Sequence, residues 1–144
     1  MSLVDELPRA RSAAELQPLL DSIPYARFLG LTVQQDGSDL ICKLGFSEEI
    51  IGNRAVRFVH GGVLGAFLEL SAMCQLLTRA QTVRVPKIIN ITVEYLRPAI
   101  AADLFARATV TRHGRRVANV SVVAYQHDIS KPVATASTHF LLAV

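Results

Sequence analysis

The sequence predicts an α+β fold in which one long central helix is wrapped by a curved antiparallel sheet. Three observations predict it. Residues 63–77 have the length and composition of a helix and are apolar on nearly all sides, so this helix should be buried. Residues 88–96, 103–112 and 116–126 alternate apolar and polar side chains as half-buried strands do, and 133–142 reads as a last strand. The connections between these segments are too short for parallel crossovers, which makes the pairing antiparallel. A sheet curled round a single helix leaves its edges open, and dimerisation is the ordinary remedy.

Composition bounds the rest. The chain has 144 residues, the usual size of one domain, and is 51% hydrophobic, enough that some apolar surface is expected between subunits. The net charge of +3 is too small to argue for nucleic acid as a partner. No uninterrupted apolar run reaches bilayer length, so no membrane partner is expected. The first nine residues lack the charged start and apolar core of a signal peptide, which makes the cytoplasm the expected compartment. Cys42 and Cys74 lie in apolar surroundings without metal-type spacing and read as buried free thiols. No metal site is expected.

Taken in order, residues 12–21 form a helix that Ser12 can cap, with Glu15 three residues on and Leu16, Leu19 and Leu20 as its apolar side. Pro24 ends it. A turn of helix over 25–30 is closed by Gly30. Two strands, 31–35 and 39–46, flank the Asp36-Gly37 turn. Residues 47–58 read as an irregular loop leading into the central helix, which should end near Thr78 or Arg79. In the strand after it, Ile89, Ile91, Val93 and Tyr95 share one face. Leu104, Ala106, Ala108 and Val110 do so in the next, and His113-Gly114 makes a hairpin. Ala118, Val120, Val122 and Ala124 then point inward on the return.

One ionisable group, Glu69, stands in the middle of the apolar helix. Burying a carboxylate is costly unless it is paired or protonated, so Glu69 is a candidate for function. Gly62, Gly65, Ala66, Glu69, Ala72 and Met73 fall on one stripe at three- and four-residue spacing, mostly small, where a ligand or second backbone can approach. At the helix head, His60-Gly61-Gly62 offers unpaired N–H groups and the positive end of the dipole to an oxygen becoming an anion.

Four motifs carry a resemblance. Asn53 is followed by His60-Gly61-Gly62-Val63-Leu64, and Glu69 lies eight residues after Gly61. Val93-Glu94-Tyr95-Leu96-Arg97-Pro98 and Arg112-His113-Gly114-Arg115-Arg116 come next. In these the chain resembles the hotdog-fold acyl-CoA thioesterases, in particular the phenylacetate-pathway enzymes and one class of 4-hydroxybenzoyl-CoA thioesterases. The resemblance covers about residues 23–142, and the expected division is an N-terminal helical extension, 1–22, and a hotdog domain, 23–144. It implies that Glu69 is the catalytic carboxylate and that the Gly61 N–H polarises the thioester carbonyl. It also implies that the two come from different subunits of a homodimer, with a dimer of dimers as the larger assembly. Asn53 would orient the thioester or the water, and His60 would fix the loop. Gly62, Met73 and Ile88 are expected against the substrate, with Leu64 and Phe67 as further lining. Arg112, Gly114, Arg115 and Arg116 are expected on the CoA phosphates. CoA is part of the substrate, and no separate cofactor is implied. The family acid is often Asp where this chain has Glu69, and its usual hydroxyls are replaced by Met73 and Ile88.

The implied reaction is hydrolysis of an acyl-CoA to acid and CoA, with Glu69 as general base or as nucleophile. Two rivals share the fold. A hotdog hydratase or dehydratase would pair His60 with Glu69, although the acid falls two residues later than that helix pattern places it. A non-catalytic acyl-CoA-binding protein would hold the ligand without releasing thiol.

Overall fold

The computed structural model describes residues 12–79 and 85–142; the stretch read as lacking a signal peptide lies outside them. Ser12 opens α1 (Ala13–Ser22), its hydroxyl accepting from the Glu15 N–H at 3.3 Å. Leu16, Leu19 and Leu20 form the buried side, as the sequence predicts. Pro24 occupies the first turn of α2 (Pro24–Leu29), where its missing N–H leaves no gap. Gly30 closes α2 in the left-handed region at φ 70°. Strands β1 (Leu31–Asp36) and β2 (Asp39–Leu44) then form the expected hairpin, with Gly37 at φ 61° in its turn.

Residues 47–58, expected as an irregular loop, carry more order than that. A single 3-10 turn (Glu48–Ile50) leads into a two-stranded ribbon of β3 (Ile51–Asn53) and β4 (Phe58–Val59). Strands of three and two residues are too short for periodicity to register. The central helix, α3 (Gly61–Arg79), begins two residues earlier than residue 63 and ends where expected.

After it come β5 (Lys87–Tyr95), β6 (Leu104–His113), β7 (Val117–Tyr125) and β8 (Ala134–Leu141). The main sheet runs β1-β2-β6-β7-β8-β5, antiparallel throughout. It curves round α3, which touches β2, β5, β6, β7 and β8. The inward residues of β6 and β7 are those the alternation predicts. Strand β5 departs from its prediction. A bulge between Ile88 and Asn90 changes the phase, so Ile89 turns outward and Ile88 packs on the core. One extra residue is enough to exchange faces.

Burial along α3 is uneven. Residues 71–77 are buried on every side, whereas Gly62, Val63, Gly65, Ala66, Glu69 and Leu70 stay exposed or half-buried. Ala72 and Met73, read from the sequence as part of the open stripe, are buried instead, because α3 is covered on all sides over residues 71–77. By length and mean hydropathy α3 is apolar enough to cross a bilayer, and its packing against five strands accounts for that apolarity here. Cys42 and Cys74 are buried free thiols, and the Cys42 sulfur together with burial pushes the Cys74 thiol well above its usual range.

The two edges of the main sheet differ. On β1, the Gln17 side chain of α1 acts as a strand would. Its Nε2 donates to the Leu31 carbonyl at 3.1 Å and its Oε1 accepts from the Val33 N–H at 2.9 Å. On β5, no strand pairs with the outer side among the described residues. Gln17→Ala should therefore cost about 1–2 kcal/mol in chemical denaturation and speed amide exchange at Val33. Parental stability with unchanged Val33 exchange would mean that the edge is covered by something else.

Candidate active site

The approach to α3 is braced before the helix begins. Arg57, at φ 55°, donates both guanidinium arms to Glu48 at 3.0 and 2.6 Å, and this contact holds the Glu48 carboxyl below its usual range. Asn53 Oδ1 accepts from the Ala55 N–H at 2.9 Å, and the Asn53 carbonyl accepts from the Arg57 N–H at 2.7 Å. These contacts close the turn between β3 and β4. Val59 N–H donates to Ala99 at 2.9 Å, tying the ribbon to the segment after β5.

His60 is the keystone of the helix start. Its backbone N–H donates to Ile50 and its carbonyl accepts from Val63 and Leu64. Its Nδ1 accepts from the Gly62 N–H at 2.9 Å, so the ring caps the helix and a neutral ring carries its proton on Nε2. Glycines flank the ring because nothing larger fits. A Cβ on Gly52 would lie 2.9 Å from the His60 Cα, and one on Gly62 would lie 3.0 Å from Nδ1. The cap explains why the helix starts at Gly61 despite the poor helix propensity of two glycines.

The outcome is selective. Of the first helical N–H groups, the one on Gly61 has no acceptor among the described residues. It stands at the positive end of a 19-residue helix. Tyr95, at the end of β5, lays its ring over Gly61 and donates its hydroxyl to the Gly61 carbonyl at 2.8 Å. The sequence placed Tyr95 only on one face of β5 with Ile91 and Val93, and at the strand end it is 57% exposed. The available signal was a hydroxyl-bearing aromatic ending an apolar alternation. Beside it opens a groove of about 330 Å³ lined by Phe58, Val59, Gly61, Leu64, Leu96 and Pro98 among others.

Two turns further along the same open side stands Glu69. It is half-buried and has no hydrogen bond or ion pair among the described residues, and burial pushes its carboxyl above the usual carboxylate range. Met73, one turn on, is 6% exposed and inside the core, as is Phe67 at 0%, and Ile88 is half-buried against it. At the far end of the sheet, Arg112, Gly114, Arg115, Arg116, Val117 and Asn119 line a concavity of about 440 Å³. None of these three arginines has an ion-pair partner among the described residues. The structure thus brings Gly61, Gly62 and His60 together, sets Glu69 apart on the same helix, and leaves Asn53 in its own turn.

Comparison with known proteins names the family. The family described as "Acyl-CoA thioesterase N-terminal domain" matches residues 52–141, which carry the ribbon, α3 and the four strands after it. The chain belongs to the hotdog-fold acyl-CoA thioesterases. This thioesterase is 28% identical over 121 residues to the medium/long-chain acyl-CoA thioesterase YigI of Salmonella typhimurium, covering 74% of this chain and 77% of that one. A solved protein from Chromobacterium violaceum shares 35% identity at a TM-score of 0.73, over 90% of this chain and 95% of the other. A phenylacetic acid degradation-related protein from Ralstonia eutropha JMP134 shares 26% at a TM-score of 0.74, over 86% and 96%. The resemblance read from the sequence holds, and the enzyme is a thioester hydrolase.

The raised Glu69 carboxyl predicts a pH signature in stability. Its pKa is higher folded than unfolded, so it favours the folded state below the unfolded value and that benefit is lost as pH rises through the folded value. Glu69→Gln removes the effect. The melting-temperature difference, variant minus parent, should grow as pH rises from about 4 to about 7. A difference that stays flat would mean that a partner compensates the charge.

Proposed function

We propose that this thioesterase hydrolyses acyl-CoA at a composite site between two copies of the chain. Gly61 of one subunit binds the thioester oxygen and Glu69 of the other activates the attack. One observation carries the reading: two unpartnered groups of complementary use stand on the open side of a single helix. Eight rises of about 1.5 Å separate them by roughly 12 Å. One carbonyl cannot meet both, but a second helix running the other way would bring its Glu69 beside this Gly61. The sealed β1 edge and open β5 edge support pairing through β5, which would also cover the open side of α3.

The chemistry then follows. The Gly61 N–H and the helix dipole stabilise the oxyanion that forms as the carbonyl is attacked. Glu69 takes a proton from water, whose oxygen bonds to the carbonyl carbon; the C–S bond breaks and the CoA thiolate is protonated. Direct attack by Glu69 would pass through an anhydride that water then opens. A raised carboxyl pKa strengthens the base. Asn53 remains the residue proposed to orient thioester or water, through its unpartnered amide NH₂. The groove at Leu64 is suited to an apolar chain, and the relatives named for medium and long acyl groups make aliphatic acyl-CoA the first substrates to test. The arginine concavity has the charge for the CoA phosphates.

Removing each partner separately tests the site. Gly61→Pro deletes the oxyanion donor at a position where helices accept proline and should lower kcat by about 10²- to 10³-fold. Glu69→Gln should lower it by at least roughly 10²-fold with normal circular dichroism. Refolded together, the two inactive variants should recover about a quarter of parental activity, because random assortment leaves one intact site in half of the dimers. No recovery would place both groups in one chain's site, and a fully active monomer would overturn the composite site outright.

The phosphate reading is tested by Arg115→Ala with Arg116→Ala. KM should rise for acyl-CoA, with a smaller rise for an acyl thioester lacking the nucleotide, and its salt dependence should flatten. Equal effects on both substrates would refute phosphate binding there.

A further inference from the structure

We infer that Tyr95 is a positioning residue that, together with His60, leaves the Gly61 N–H as the single free donor at the head of α3 among the described residues. The inference rests on the oxyanion role just proposed for Gly61. Two consecutive glycines give a backbone with unusual freedom, a poor foundation for a donor that must be in place before charge develops. The peptide between Gly61 and Gly62 is gripped at both ends. Its carbonyl takes the Tyr95 hydroxyl at 2.8 Å, and its N–H meets His60 Nδ1 at 2.9 Å. The preceding peptide is held by its carbonyl, which accepts from Val63 at 3.0 Å and Leu64 at 3.2 Å. With both peptide planes fixed, the Gly61 N–H has one orientation available.

The ring adds a second restraint. A Cβ built on Gly61 would lie 3.4 to 3.5 Å from the Tyr95 ring and hydroxyl, and one on Gly65 would lie 3.9 Å from that hydroxyl. The tyrosine therefore lies flush along the first turn. It also stands in the wall of the groove that contains Gly61. Tyr95 reaches the helix from the end of β5, the open edge strand. Its hydroxyl does not compete for the free donor, since it gives its proton to the carbonyl on the other side of Gly61. It acts on the reaction through Gly61 and not by touching the thioester.

Tyr95→Phe keeps the ring and deletes the hydroxyl, and at 57% exposure the change should leave the fold intact. Two readouts decide the matter. Amide exchange at Gly62 should accelerate by about three- to tenfold, as one net hydrogen bond implies. The kcat for an acyl-CoA should fall by about the same factor with KM nearly unchanged, because a loosened donor loses most against the transition state. The pH dependence of kcat should keep its acid limb, since Glu69 is untouched. Unchanged Gly62 exchange overturns the inference, and so does a rise in KM with kcat at the parental level. If the parent protein hydrolyses no acyl-CoA, the functional reading fails on its own, and Gly62 exchange still decides whether Tyr95 holds the loop.

Discussion

The sheet leaves one side of the N-terminal half of α3 uncovered. The rest of this molecule follows from that limit, because α3 is apolar on nearly every side. The curved sheet takes the side that meets β2, β5, β6, β7 and β8, and residues 71–77 are fully enclosed. The N-terminal half keeps a strip of glycine, alanine, valine and leucine with one carboxylate in it. Apolar surface left in water is unfavourable by about 25 cal/mol per Å². A carboxylate held beside it is desolvated without the compensation of a partner among the described residues. The open strip is thus both unfavourable surface and the place where the candidate groups stand.

The legible part of the fold was the part written in periodicity. Leu104, Ala106, Ala118, Val120, Val122 and Ala124 alternate with polar neighbours and are buried as alternation demands. In β5 the sequence offers Ile88 and Ile89 side by side, so either phase satisfies the pattern, and the bulge chooses the other one. The ribbon of β3 and β4 is held by its pairing, by the Asn53 turn and by the Glu48–Arg57 contact, none of which repeats along the chain. Gln17 reads as an ordinary polar residue on a helix until the strand edge it meets is known.

The candidate site was legible in a similar measure. A lone acid in an apolar run stands out, and so do two glycines where a helix should begin. The resemblance pointed to the Gly61 N–H, but why that N–H stays free was not legible, because that depends on contacts from elsewhere. Tyr95 lies 34 residues from Gly61, and the room for the His60 ring is made by Gly52. The His60 cap also bears on the hydratase alternative. Its Nδ1 is committed to the Gly62 N–H, so the ring reads first as part of the scaffold.

The unequal sheet edges have a meaning in the language of polymerisation. A unit with two reactive ends adds units without limit, whereas a unit with one reactive end couples once and stops. With the Leu31 carbonyl and the Val33 N–H already taken by Gln17, β5 is the more open of the two ends along the direction of the sheet. Coupling of two β5 edges would join like to like, the self-complementary contact that a two-fold axis generates. A side-chain amide on the first helix thereby takes up groups that a further strand would need, which works against growth at the β1 edge.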